Sequence, residues 1–202
     1  MAHNISVIKK KDYKVSEWSG GTTTELYIYP KESKYSELDF KWRLSSAKVD
    51  IEESEFTHLS GIDRKIMILD GKLILEHDGK YTTELNEFDM DSFSGDWTTK
   101  SYGKATDFNL MTSKGCTGDL EYILVNKSKE ITLKNKQQMY KNIAEVLYCV
   151  SGKISIGLDS KIDIYEGDLF VLTRNINDDM KKINLYNKSE ECTKIIRSII
   201  YF

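Results

Sequence analysis

Apolar and polar residues along this chain recur mostly with a period of two, in short runs closed by Gly, Asn, Asp or Ser. That pattern predicts strands joined by tight turns, and helical periodicity is weak throughout. Two stretches repeat one pattern. Ile66–Leu75 reads IMILDGKLIL and Leu147–Ile156 reads LYCVSGKISI: an apolar run, a polar residue, Gly-Lys, then a second apolar run. The register continues to Asp78-Gly79 against Asp159-Ser160. After a two-residue shift, Leu85-Asn86-Glu87-Phe88-Asp89 falls against Ile164-Tyr165-Glu166-Gly167-Asp168. β-branched and aromatic runs punctuated by Gly and Asp read as hairpins, with Gly71 and Gly152 as turn residues. The chain is therefore expected to be all-β, two related halves from an internal duplication, divided as residues 1–125 and 126–202.

The remaining runs fill in these halves. Ile5–Lys14 is expected to be an opening strand with Ile5, Val7 and Tyr13 turned inward. Trp18-Ser19-Gly20-Gly21 offers close backbone approach or positive φ, and the strand-like Thr22–Tyr29 ends at Pro30. Tyr35–Asp39 reads as a polar linker. In Phe40–Val49, alternation puts Arg43, Ser45, Ala47 and Val49 on one face and Trp42, Leu44 and Ser46 on the other. An arginine among small and apolar residues suits a half-polar barrel interior. In Thr106–Met111, Asp107, Asn109 and Met111 share a face opposite Phe108 and Leu110. Asn126–Lys141, rich in Lys, Asn and Gln, is the expected junction. A charged segment spans Asn175–Lys182. The last strand, Ile195–Phe202, is apolar enough to need covering, either within the chain or in a homodimer.

Composition narrows the function classes. A net charge of −3 over 202 residues, with no basic stripe, argues against a nucleic-acid partner. No apolar stretch is long enough to span a bilayer, and residues 1–10 lack an apolar signal core, so a cytoplasmic location with no membrane partner is expected. Cys116, Cys149 and Cys192 fit neither a disulfide framework nor a CxxC zinc site. Cys149, inside the repeated apolar strand, reads as a buried small hydrophobe.

The turn Tyr165-Glu166-Gly167-Asp168-Leu169-Phe170 is similar to the turn between two strands of a cupin barrel. More specifically, the chain resembles the HutD/Ves family of double-cupin proteins. Five segments in order carry the resemblance: Trp18–Gly21 with Thr24-Glu25, Trp42–Ala47, Gly61–Arg64, Phe93–Asp96 and Asp107–Met111. The second half matches mainly through the generic cupin repeat. The resemblance implies a bicupin, two cupin-like β-barrel or jelly-roll halves. It also implies an accessory or regulatory role linked to histidine utilisation or stress response, with a formylated or formiminated glutamate-type ligand.

Many cupins hold a metal through two histidines on one strand, a glutamate and a further histidine. Here only His3, His58 and His77 are present, with no HxH pair and no histidine in the second repeat. A metal-free protein without a cofactor is expected, and His77, beside Asp78-Gly79, reads as exposed. No serine stands in a nucleophile elbow. What remains is a constellation suited to binding. Arg43, with Arg64, would anchor a carboxylate through parallel hydrogen bonds. Asn109 and Ser45 would read amide or formyl groups, Trp18 would close a wall, and Asp107 completes the set. Competing structural roles stand beside each. Arg43 would pair with Asp107 internally, Arg64 would stabilise its turn or face solvent, and Trp18 and Trp42 would pack. Glu25 would face solvent at an edge, and Glu52, Glu53 and Glu55 would form a solvated loop. The reading that results is a metal-free bicupin binding a small carboxylate, with catalysis left open. Its alternatives are a metal-independent isomerase or lyase using Asp107 and Glu25, and a structural or protein-interaction module.

Overall fold

The computed structural model describes residues 3–133, 139–158, 160–178 and 182–202. Among these, nineteen strands and two 3-10 turns carry the regular structure, and the chain is all-β. In chain order the strands are β1 (Asn4–Ile8), β2 (Lys14–Trp18), β3 (Gly21–Tyr29), β4 (Trp42–Val49), β5 (Glu53–Glu55) and β6 (Ile62–Gly71). Next come β7 (Leu73–His77), β8 (Tyr81–Leu85), β9 (Met90–Ser94), β10 (Thr99–Tyr102), β11 (Ala105–Ser113) and β12 (Thr117–Val125). The last are β13 (Ser128–Thr132), β14 (Asn142–Ser151), β15 (Lys153–Gly157), β16 (Lys161–Tyr165), β17 (Leu169–Asn175), β18 (Lys182–Asn187) and β19 (Thr193–Tyr201).

They form two compact units. An N-terminal unit comprises Tyr13–Asp119, and a C-terminal unit joins the chain up to Asp12 with Leu120–Phe202. The N-terminal unit has sheets ordered β2-β3-β4-β11-β6-β9 and β5-β10-β7-β8. Those of the C-terminal unit run β1-β17-β14-β19-β12 and β13-β18-β15-β16. The run β4-β11-β6-β9 of one large sheet corresponds to β12-β19-β14-β17 of the other, with β2-β3 added to the first and β1 to the second, and the small sheets correspond strand for strand. The repeat seen in the sequence is thus a repeat of topology.

Inward positions also correspond. Ile66, Ile68, Leu73, Leu75 and Leu85 form the core of the N-terminal unit. Their counterparts Leu147, Cys149, Ile154, Ile156 and Ile164 do so in the C-terminal one. Gly71 and Gly152 close the first strand of each copy at φ of 83° and 89°. A Cβ would meet the Lys104 carbonyl oxygen at 2.5 Å in one case and Thr193 Oγ1 at 2.8 Å in the other, so only glycine fits.

Two expectations change, and one open alternative is decided. The opening strand is not continuous over Ile5–Lys14, because a 3-10 turn at Lys10–Asp12 breaks it. Asp168 holds that break, accepting the Lys10 backbone N–H at 3.1 Å and Lys9 Nζ at 2.8 Å. β1 pairs with β17, its Ile5 and Val7 packed on the C-terminal core, whereas β2 pairs with β3. The apolar strand β19 lies between β14 and β12, so both its edges are paired within the chain. The stretch Asn126–Lys141 contains β13. Its residues 134–138 lie outside the described residues, as do Asp159 of the repeat and residues 179–181 of the charged segment. No helix among the described residues is long and apolar enough to cross a membrane.

Candidate functional site

β4, β11 and β6 lie side by side in the large N-terminal sheet, and their inward faces are not wholly apolar. Alternation turns Arg43, Ser45, Ala47 and Val49 of β4 inward, with Asp107, Asn109 and Met111 of β11, and Arg64 of β6. Together with Trp18, Tyr35, Ser54 and Phe56 these residues line a cavity of about 270 Å³. All six residues singled out as ligand-binding candidates, Trp18, Arg43, Ser45, Arg64, Asp107 and Asn109, line this one cavity. The opposite face of β4 packs as a structural surface, with the Trp42 ring stacked on Tyr27 and Tyr29 at centroid distances of 4.9 and 5.5 Å.

Arg43 does not pair with Asp107. Its Nε donates to Glu25 Oε2 at 2.9 Å and its Nη1 to Ser45 Oγ at 3.1 Å. Met111 Sδ lies 3.9 Å from Nη1, and the guanidinium sits 4.3 Å from the Tyr35 ring centroid. Register explains the partner. Glu25 stands opposite Ser45, and residues opposite one another in an antiparallel pair share a face. A bulge between Glu25 and Tyr27 then resets the pairing toward Arg43. Glu25 is also no edge residue, since β2 flanks β3 on its other side.

Arg64 is neither a turn residue nor a surface residue. It shares the inward parity of Ile62, Ile66 and Ile68 and is only 5% exposed. Its guanidinium lies over Phe56 and Phe93, at 4.7 and 5.2 Å from the ring centroids. Its Nε is buried without a hydrogen-bond partner. Burial lowers its pKa to about 10, against the opposing pull of Tyr35 and Asp107.

Asp107 accepts the Ala47 backbone N–H through Oδ1 at 3.2 Å. Burial raises its pKa to about 7, and neither the Ala47 N–H nor the Arg64 charge cancels that rise. Asn109 Oδ1 is a second buried atom without a partner, here an acceptor. Trp18, 38% exposed, forms the outer rim. Gly20 lets it lie there, because a Cβ at that position would strike its ring.

Tyr35, Ser54 and Phe56 were not legible as site residues. Tyr35 falls in what reads as a linker and forms a 3-10 turn. The acidic stretch is partly a strand, β5: Glu52, Glu53 and Glu55 are exposed, while Ser54, Phe56 and the partly cavity-facing Glu55 line the cavity. His77 corrects another expectation. It is 2% exposed, and it bonds Thr99 Oγ1 through Nδ1 and Asp91 Oδ2 through Nε2, both at 2.8 Å. The rings of Tyr81, Phe93 and Trp97 surround it, at centroid distances of 4.7 to 5.5 Å. Aromatic residues from β8, β9 and the loop after β9 cover a side chain that its neighbouring Asp-Gly turn made look exposed.

No group of three or more His, Cys, Asp or Glu among the described residues is placed to hold a metal ion. The cavity itself presents two guanidinium groups beside the Asp107 and Glu55 carboxyls, a set whose cationic nitrogens are unsuited to a divalent cation.

Two units of paired antiparallel sheets with a repeated strand order define a double cupin, and solved structures agree. PA5104 of Pseudomonas aeruginosa PAO1 superposes with a TM-score of 0.79 at 21% identity, covering 98% of both chains. HutD of Pseudomonas fluorescens SBW25, from a formate condition, gives 0.69 at 22% identity, over 96% of this chain and 98% of that one. An oxalate decarboxylase of Bacillus subtilis gives 0.67 at 7% identity, covering 98% of this chain and 77% of its own. At these identities the likeness is one of fold. The HutD family pattern matches residues 10–192, and the chain belongs to the HutD family. No curated protein matches it.

Proposed function

We propose that this chain binds a small carboxylate bearing an N–H group, of the formyl- or formimino-glutamate type. Its role would be accessory or regulatory and linked to histidine utilisation. One observation carries the reading: a buried donor, Arg64 Nε, and a buried acceptor, Asn109 Oδ1, lack partners in the same cavity. Groups of this kind are costly to leave unmade. A ligand completing both must offer an acceptor and a donor, as an N-acylated amino acid does. The volume of about 270 Å³ lies below the roughly 300–1,000 Å³ of drug-sized sites, which favours a metabolite. Arg43, paired with Glu25, needs no ligand of its own.

The test is thermal melting with N-formylglutamate, glutamate and simple dicarboxylates. A ligand at one hundred times its dissociation constant adds about 2.7 kcal/mol, or a rise of roughly 5–10 °C for a chain of this size. N-formylglutamate should give it in the wild type and not in Arg64→Gln. No shift with any small acid would sink the reading.

A second reading rests on Asp107, whose pKa of about 7 suits general acid–base work. A metal-independent isomerase or lyase would use it, with Glu25 tied to Arg43. Turnover of a bound acid, abolished by Asp107→Asn, would move the protein to that class.

A further inference from the structure

We infer that the C-terminal unit carries a second, separate anion site, built on Arg174, that takes a small carboxylate of formate or acetate size. Arg174, on β17, is 1% exposed, and its Nε, Nη1 and Nη2 are all buried without a hydrogen-bond partner. It stands opposite Ile143 of β14, and Arg197 of β19 stands opposite Leu147 of the same strand. Cross-strand partners share a face. Ile143, Glu145 and Leu147 alternate along β14, so Arg174, Glu145 and Arg197 all point to the inward side that holds Leu147, Phe170 and Leu172.

The enclosed carboxylate there is already committed. Glu145 receives Arg197 Nε at 2.8 Å on one oxygen and Arg197 Nη2 at 3.1 Å on the other. Arg197 is completed by Glu121 at 3.0 Å and the Thr132 carbonyl at 3.2 Å. Two guanidinium groups thus face one fully buried carboxylate, since Glu121 is half exposed. The charges of Glu145 and Asp178 reach Arg174 and oppose the lowering of its pKa by burial, yet no atom bonds it. A planar oxyanion accepts from two of its nitrogens in the fork that guanidinium presents.

The first cavity has the same logic: Arg43 is tied to Glu25, and Arg64 has a nitrogen without a partner. No residue is shared, because that cavity lies within Tyr13–Asp119 and this cluster within Leu120–Phe202.

The probes are sodium formate in solution and bromide in crystals of the full chain. Formate should raise the melting temperature saturably in Arg64→Gln, where the first cavity is disabled, and its apparent affinity should fall at least tenfold in Arg64→Gln/Arg174→Gln. Bromide soaked into wild-type crystals at millimolar concentration should give an anomalous peak within hydrogen-bonding reach of the Arg174 nitrogens. Ordered water alone at Arg174, a carboxylate of this chain turned onto it, or a formate response unchanged by Arg174→Gln would each overturn the site. If Arg174→Gln does not fold, the bromide experiment on the wild type decides alone. Neither result depends on N-formylglutamate binding in the first cavity, which Arg64→Gln tests by itself.

Discussion

Glu25 takes the Nε–H of Arg43 at 2.9 Å, and that single bond separates the two arginines of the cavity into different roles. Arg43 is neutralised and held, with 6% of its side chain exposed against 25% for Glu25. Arg64 keeps a nitrogen in reserve. Removing one partner of a largely buried pair strands the other charge, so Glu25→Gln should lower stability by about 1–3 kcal/mol in urea unfolding. The partial exposure of Glu25 keeps the figure below that of a fully buried pair. A loss under about 0.5 kcal/mol would show that Arg43 does not depend on it.

Arg64 should behave in the opposite way. Its guanidinium rests on Phe56 and Phe93 and its Nε satisfies nothing in the unliganded chain. Arg64→Gln removes a buried charge while keeping a polar donor, so the unliganded protein should be as stable as the wild type or more so. The response to N-formylglutamate should vanish in the same variant. Paired denaturation and ligand-melting curves check both halves; a variant that is destabilised by more than about 2 kcal/mol would make Arg64 a structural residue.

Asp107 gives the pH dependence. Its folded pKa of about 7 lies above the ordinary carboxylate value of 3.8, so the folded state holds the proton more tightly than the unfolded state. The contribution to stability is therefore fully present below about pH 4 and is lost as pH rises toward 7, then levels off. At about 1.4 kcal/mol per pH unit the loss reaches up to about 4 kcal/mol. Asp107→Asn keeps an acceptor for the Ala47 N–H and removes the titration, so wild type minus variant should show this slope between pH 4 and 7. Anion affinity should fall over the upper part of the range. The charged and titratable groups lining or touching the cavity are Arg43, Glu25, Arg64, Tyr35, Glu55 and Asp107, and ionising Asp107 cancels one positive charge. A flat pH profile in the wild type would refute the shift.

The parts of this molecule that were legible in the sequence are those set by strict alternation. β4 and β11 show it plainly, and Arg43, Ser45, Asp107 and Asn109 are turned into one cavity as their parity requires. Arg64 was within reach of the same rule. It shares parity with Ile62, Ile66 and Ile68, and extending the repeat upstream sets it against Glu145, a second inward charge in an apolar run. The adjacent Gly-Ile-Asp turn obscured that signal. The partner of Arg43 was not legible, because a bulge after Glu25 decides it and no residue type announces a bulge. Tyr35 and Phe56 reach the cavity from segments without periodicity, where only tertiary packing places a side chain.

His77 offers the sharpest separation of structure from function in the N-terminal unit. It lines no part of the cavity, yet it is buried and bonded at both ring nitrogens, to Thr99 Oγ1 and Asp91 Oδ2. Asp91 keeps a second partner, the Tyr81 hydroxyl at 2.9 Å, whereas the fully buried Thr99 hydroxyl would lose this bond altogether. His77→Ala would also open a void among Tyr81, Phe93 and Trp97. One unsatisfied hydroxyl and the lost packing together should cost about 3 kcal/mol in urea unfolding. His77→Gln, which can still reach a hydrogen-bond partner, should recover part of that. N-formylglutamate affinity, measured at a temperature where each variant is folded, should stay within about twofold of the wild type. A large loss of affinity without loss of stability would instead tie His77 to the ligand, through Phe93 and the Arg64 guanidinium that lies over it.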